Sequence, residues 1–170
     1  FDNNEGIPVR YNVIKIDDLV PIVKIKFPEN DFIIDDSYTI PLEIESKDDF
    51  GINKIELKYK INKPYYLTQD TSSYNFQIKK INQYNQKSIF FTYEWNVKNL
   101  NLSPGDEILY WINVYDYNQS NRSNYGKSEL RKAYIPSLEQ LYFEVEEEQQ
   151  IIEQNFDDML NSVDELKSMY

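Results

Sequence analysis

Residues 54–61 read Lys54-Ile55-Glu56-Leu57-Lys58-Tyr59-Lys60-Ile61, an alternation of apolar and charged side chains without a break. Successive side chains of a strand point to opposite faces, so this period of two puts Ile55, Leu57, Tyr59 and Ile61 on one side and Lys54, Glu56, Lys58 and Lys60 on the other. A helix would scatter both sets around its circumference. The stretch therefore predicts a half-buried strand, and the chain on either side repeats its pattern.

Upstream, Pro21 to Pro28 sets Ile22/Val23, Ile25 and Phe27 against Lys24 and Lys26, and Ser37 to Ile44 places Tyr38, Ile40, Leu42 and Ile44 on one face. Downstream, residues 72–81, 88–97 and 107–115 predict further strands, the last with Ile108, Tyr110, Ile112 and Val114 together, and Ser128 to Ile135 closes the set. Gly51 and Gly105 follow Asp-Asp-Phe and Ser-Pro, where turns require a positive φ. Seven short strands separated by turns predict a mainly β fold, an immunoglobulin-like Greek-key β-sandwich, with Trp95 and Trp111 in its core.

The charge divides the chain at Pro136. Residues 1–136 hold 19 acids and 17 bases, whereas residues 137–170 hold ten acids and Lys167 alone, so the tail carries nine of the eleven net negative charges. Its period also changes. Ser137 with Gln140 three residues later forms a capping box, which predicts a helix start. Apolar residues then recur at spacings of four and three through Leu138, Tyr142, Val145, Gln149, Ile152, Phe156, Met159, Val163, Leu166 and Tyr170. A repeat of 3.5 sustained over four heptads is the seam of a coiled coil, with Gln149 as its one polar member. The competing expectation is an amphipathic helix folded back on the sandwich. Glutamates at 139, 146, 148 and 153 flank the seam, and Glu148 would oppose Glu153 of a parallel second copy. That points to a protein partner of another kind: a basic helix, or another helix of the same full-length chain. The partner-facing residues are Tyr142, Val145, Gln149, Ile152, Phe156, Met159, Val163 and Leu166.

Residues 1–17 are expected to be the last strand of a preceding domain, or an edge strand or linker, with the sandwich over 18–136 and the helix over 137–170. The first residue is Phe1, which suggests a piece of a longer protein.

The residue inventory closes most catalytic chemistry. There is no His and no Cys, hence no imidazole base, thiol nucleophile or thiolate metal site. Gly126-Lys127-Ser128 lacks the earlier Gly and the following helix of a phosphate-binding loop. Asp35/Asp36 and Glu147/Glu148 are carboxylate pairs without an implied cleft. The negative charge and the lack of a basic stripe argue against nucleic acid. No run of about 18 apolar residues is present to cross a bilayer, so no membrane contact is expected of this segment. No catalytic residue and no cofactor are assigned.

One alternative is a ligand-binding adhesive module. Sandwich topology would gather Asp17/Asp18, Asp48, Asp49 and Asp116 at one tip, where carboxylates suit calcium, but the favoured expectation is that Asp48, Asp49 and Asp116 cap turns through their own backbone amides, and no metal is assigned. The loop from Asp116 to Lys127, rich in Asn and Ser with Tyr117 and Tyr125, has the composition of an adaptable binding loop. Tyr65 and Tyr66 after Pro64 are candidates for stacking on sugars.

The succession Asp48-Asp49-Phe50-Gly51-Ile52, Ile55-Glu56-Leu57-Lys58-Tyr59, Leu102-Ser103-Pro104-Gly105-Asp106-Glu107, Tyr110-Trp111, Tyr115-Asp116-Tyr117-Asn118 and Ile135-Pro136-Ser137-Leu138-Glu139-Gln140 resembles one region of large, uncharacterised, membrane-anchored bacterial envelope proteins. The resemblance covers about residues 18–150. It implies extracytoplasmic immunoglobulin-like domains leading into long Glu- and Gln-rich helices, in a stalk or scaffold role, and it brings no catalytic residues.

Overall fold

A computed structural model describes residues 10–14, 18–64, 66–67, 72–81, 86–117 and 125–168. The strands are β1 (Ile22–Phe27), β2 (Phe32–Ile33), β3 (Thr39–Lys47), β4 (Ile52–Asn62), β5 (Tyr74–Lys80), β6 (Ser88–Asn96), β7 (Glu107–Asp116), β8 (Tyr125–Lys127) and β9 (Arg131–Tyr134), and one helix, α1 (Leu138–Ser168), follows them. The strands form two sheets, ordered β1-β3-β6 and β2-β9-β7-β4-β5, with β8 also paired to β7. All pairings are antiparallel except β2 with β9.

The alternation read from the sequence decides which face each strand buries. On β4, Ile55, Leu57 and Tyr59 are buried, and on β7 so are Ile108, Tyr110, Ile112 and Val114. The other sheet supplies Val23, Ile25, Ile40, Leu42, Ile44 and Trp95 to the same cluster. Each aliphatic side chain taken out of water there contributes roughly 1.5–3 kcal/mol, which is what holds the two layers together. Trp95 of β6 spans the layers: its ring centroid lies 5.2 Å from that of Tyr59 and 5.7 Å from that of Tyr110. Among the described residues the fold is mainly β, two sheets packed in sandwich fashion, with one α-helix at the C-terminal end.

Two expectations about individual side chains are corrected. Trp111 is half-buried on the outer face of β7 rather than in the core, because it alternates with the buried Tyr110 and Ile112. Phe27 is 42% exposed, since the register of β1 on β3 shifts between Ile25 and Phe27 and turns its ring away from the face that Ile25 occupies. Two strands, β2 and β8, add to the seven expected. Residues 10–14 are irregular, with Tyr11, Val13 and Ile14 exposed, and the rest of segment 1–17 lies outside the described residues.

One long side of the sandwich is stitched shut. From β9, the Arg131 guanidinium donates to the carbonyls of Ile25, at 3.3 Å, and Glu29, while also pairing with Glu129. Gly126 of β8 passes so near Pro21 that a Cβ at this position would lie 1.8 Å from the Pro21 carbonyl oxygen.

Candidate interaction surfaces

The junction between sandwich and helix is built from backbone bonds. Gly105, at φ 86°, donates its N–H to the Ile135 carbonyl at 2.9 Å, and Ile135 donates to the Asp106 carbonyl at 3.0 Å. The Asp106 side chain is buried, accepts from Ser103 N at 2.8 Å and pairs with Lys63. A buried carboxylate needs such donors, because its unpaired charge would cost several kcal/mol, about 3–5 in broken pairs. At the helix start, Ser137 Oγ accepts from Gln140 N at 3.2 Å and Gln140 Oε1 accepts from Ser137 N at 2.9 Å. This is the reciprocal cap the sequence predicts. A cleft of about 840 Å³ lies beside the junction, lined among others by Pro64, Tyr66, Tyr134, Leu138 and Phe143.

Beyond this cap, every described side chain of α1 is exposed. Tyr142 is 71% exposed, Ile152 66%, Met159 63% and Phe156 59%, with Val145 and Val163 also open to solvent. The described part of the helix is thus not folded back on its own sandwich. Gln149 is exposed beside them, and Leu166 lies within α1 with its side chain outside the described set. Leu141, Phe143, Ile151 and Leu160 widen the apolar surface beyond the seam.

At the opposite end, Asp48 Oδ2 accepts from Phe50 N at 3.1 Å and Gly51 N at 2.6 Å, so Asp48 caps its own turn, and Gly51 takes φ 122° as the turn requires. Burial pushes the Asp48 carboxyl above its usual range. The Gly51 and Phe50 amides oppose that shift, and the charges of Asp49 and Asp18 add to it. Asp116 is buried opposite Ile52 of β4. Asp17 lies outside the described residues. Among the described residues, no group of three or more acidic side chains is placed to hold a metal ion.

The other candidates have local structural roles. Ser37 donates to Asp35 Oδ1 through both its hydroxyl, at 2.6 Å, and its amide, at 2.9 Å, and these bonds lower the Asp35 pKa. Glu147 and Glu148 are exposed on α1. Gly126 and Lys127 belong to β8, and buried Ser128 accepts from Ile112 N at 2.9 Å. Tyr117 donates from Oη to the Ile81 carbonyl at 2.9 Å. Residues 118–124 and Tyr65 lie outside the described set, while Tyr66 is exposed beside the junction cleft.

The sequence reading missed a basic aromatic face on the larger sheet. Pairing of β4 with β7 sets Lys60 opposite Leu109, Lys58 opposite Trp111, Glu56 opposite Asn113 and Lys54 opposite Tyr115. On the other flank, Lys132 pairs with Leu109, Lys127 with Asn113 and Tyr125 with Tyr115. The Lys127 ammonium sits 4.7 Å from the Trp111 ring centroid, and that of Lys54 4.3 Å from Tyr115. Such contacts are worth about 0.5–1 kcal/mol at exposed sites. Burial opposes ionisation of Glu56, yet bonds from Lys54, at 2.6 Å, and Tyr115, at 2.9 Å, with the Lys54 and Lys58 charges, hold its carboxyl below the usual range. Strand pairing brings Lys127 and Lys132 to the face that already carries Lys54, Lys58 and Lys60.

No family model matches the chain, and no curated protein matches it. Among the described residues, no helix is long and apolar enough to cross a membrane.

Proposed function

We propose that this chain is a non-enzymatic structural and protein-interaction module, a stalk or scaffold element of a bacterial extracytoplasmic protein, in which α1 associates through its seam with another helix. The observation that carries this reading is the exposure of that seam, with Tyr142, Ile152, Phe156 and Met159 each more than half open to solvent while the sandwich closes a core of its own. Removing apolar side chains from water contributes roughly 25 cal/mol per Å², so a helix of this length displaying them continuously gains by finding a partner. The ten acids and one base of residues 137–170 favour a partner helix carrying Lys or Arg beside its apolar stripe. The extracytoplasmic placement rests on the resemblance of residues 18–150 to envelope proteins.

The immunoglobulin-like Greek-key reading belongs to the same proposal. It is supported by the crossing of the chain between sheets from β3 to β4 and again from β6 to β7, and by the neighbouring of β4 and β7. A coiled coil is supported by the 3.5-residue period.

The test is charge placed in the seam. Ile152→Glu with Phe156→Glu, followed by light scattering and circular dichroism, is expected to lower both assembly and helicity. Unchanged mass and unchanged helicity would overturn the reading.

A further inference from the structure

The outer face of the larger sheet and the first half of α1 are complementary in pattern and in charge, and α1 does not cover that face within one chain. Down the middle of the face run Leu109, Trp111, the buried Asn113 and Tyr115 of β7, flanked by Lys60, Lys58, Glu56 and Lys54 on β4 and by Lys132 and Lys127 on β9 and β8. Lys54 pairs with Glu56 and Lys132 with Asp31 and Glu107, which leaves Lys58, Lys60 and Lys127 to face an acidic partner. Down the middle of the helix run Tyr142, Val145, Gln149 and Ile152, flanked by Glu139, Glu146 and Glu153 on one side and Glu148 on the other. An apolar line with basic margins faces an apolar line with acidic margins. The lengths are compatible: Leu109 to Tyr115 extends about 20 Å at roughly 3.4 Å per strand residue, and the line from Tyr142 to Ile152, about 15 Å at 1.5 Å per helical residue, fits within it.

We propose that this sheet face is the docking surface for α1 of a second copy of the chain. The inference rests on the reading of α1 as the association element and names its partner when the chain is alone. Two observations favour a second copy over the chain's own helix or a helix-to-helix pair. The capping box and the Gly105 and Ile135 backbone bonds tie the start of α1 to the end of the sandwich, and its described side chains leave exposed from there. Pairing α1 with α1 in parallel sets Glu148 against Glu153, whereas the sheet offers the glutamates Lys58, Lys60 and Lys127. Lysine stems lying over Trp111 and Tyr115 extend the apolar line, since they bury methylenes and keep the ammonium at the margin. Helix on one molecule and sheet on the next make a head-to-tail contact, which continues as an open chain of molecules unless it closes into a ring.

Light scattering of the full chain across a concentration series tests this, with Lys58→Glu, Lys60→Glu and Lys127→Glu combined in one variant. Lys24→Glu with Lys98→Glu, away from the face, serves as control. The wild type is expected to associate at low salt and to weaken as salt rises from about 0.05 M to about 1 M. The face variant is expected to lose about tenfold or more in affinity at unchanged helicity, with a melting temperature lowered only by the loss of the Lys127–Trp111 contact and of the Lys58 charge beside Glu56, while the control keeps wild-type assembly. Reversing the helix margin, by Glu146→Lys, Glu148→Lys and Glu153→Lys, should restore association to the face variant. If Ile152→Glu with Phe156→Glu abolishes assembly and the face variant assembles like the wild type, α1 pairs with another helix; this inference falls while the proposed function stands. A chain that is monomeric throughout the low-salt series also overturns the inference, and leaves the function to be judged by binding of a basic helix. Assembly untouched by both sets of substitutions overturns both.

Discussion

Gly126 and Pro21 touch backbone to side chain position: a methyl group on Gly126 would reach within 1.8 Å of the Pro21 carbonyl oxygen. The contact closes the sandwich where β8 crosses the entry to β1, and farther along the chain from Pro21 Arg131 bonds the carbonyls of Ile25 and Glu29. Gly126→Ala therefore has to move backbone on one sheet or the other. Overpacking of that kind costs about 1–3 kcal/mol, and a denaturant melt should show a lower midpoint with an unchanged slope. A midpoint equal to the wild type would mean that β1 and β8 are not held this closely.

Asp48 gives stability a definite pH dependence. Its folded pKa lies above that of an ordinary aspartate because burial penalises the charged form, with the charges of Asp49 and Asp18 adding to the rise. Such a group destabilises the native state while ionised; as pH falls through the folded pKa the native carboxyl takes its proton first, and the penalty fades by the unfolded value. Asp48→Asn keeps an oxygen for the Phe50 and Gly51 amides without the charge. It should melt above the wild type at neutral pH, with the gap closing as pH falls through the ordinary aspartate range. A gap that does not vary with pH, or one of opposite sign, contradicts this account.

The reciprocal bonds of Ser137 and Gln140 predict a local effect. Ser137→Ala removes an oxygen that accepts from Gln140 N at 3.2 Å, at a cost of about 1 kcal/mol to the helix. Circular dichroism should show reduced helical signal while the Trp95 environment is unchanged. Loss of sandwich structure instead would mean that the junction carries more than the cap.

Local periodicity made most of the architecture legible. Ile55, Leu57 and Tyr59 on β4, and Ile108, Tyr110, Ile112 and Val114 on β7, bury the faces that their alternation implies. Gly51 and Gly105 take the positive φ that their turns suggest, and Ser137 with Gln140 marks the helix start. What escaped is set by pairing between distant strands. β8 holds Gly126, whose weak strand propensity hides it, and β2 is two residues long. Phe27 followed its alternation only as far as the register shift after Ile25. The lysine stripe was half visible, since Lys54, Lys58 and Lys60 already share a face in the sequence. Their meeting with Trp111 and Lys127 needs the β4–β7–β8 register, which no local pattern contains.

The central claim is that α1 presents a seam for a helix of opposite charge, and binding of a designed probe tests it most directly. The probe is a peptide with Leu and Ile at its seam positions and Lys at the flanking positions; a matched peptide with Glu at those flanks is the comparison. Titration of the full chain should give saturable binding and a gain in helicity with the lysine peptide, about tenfold or more weaker with the glutamate peptide, and lost in Ile152→Glu with Phe156→Glu. Equal affinity for the two peptides, or binding that survives the seam substitutions, would contradict the account.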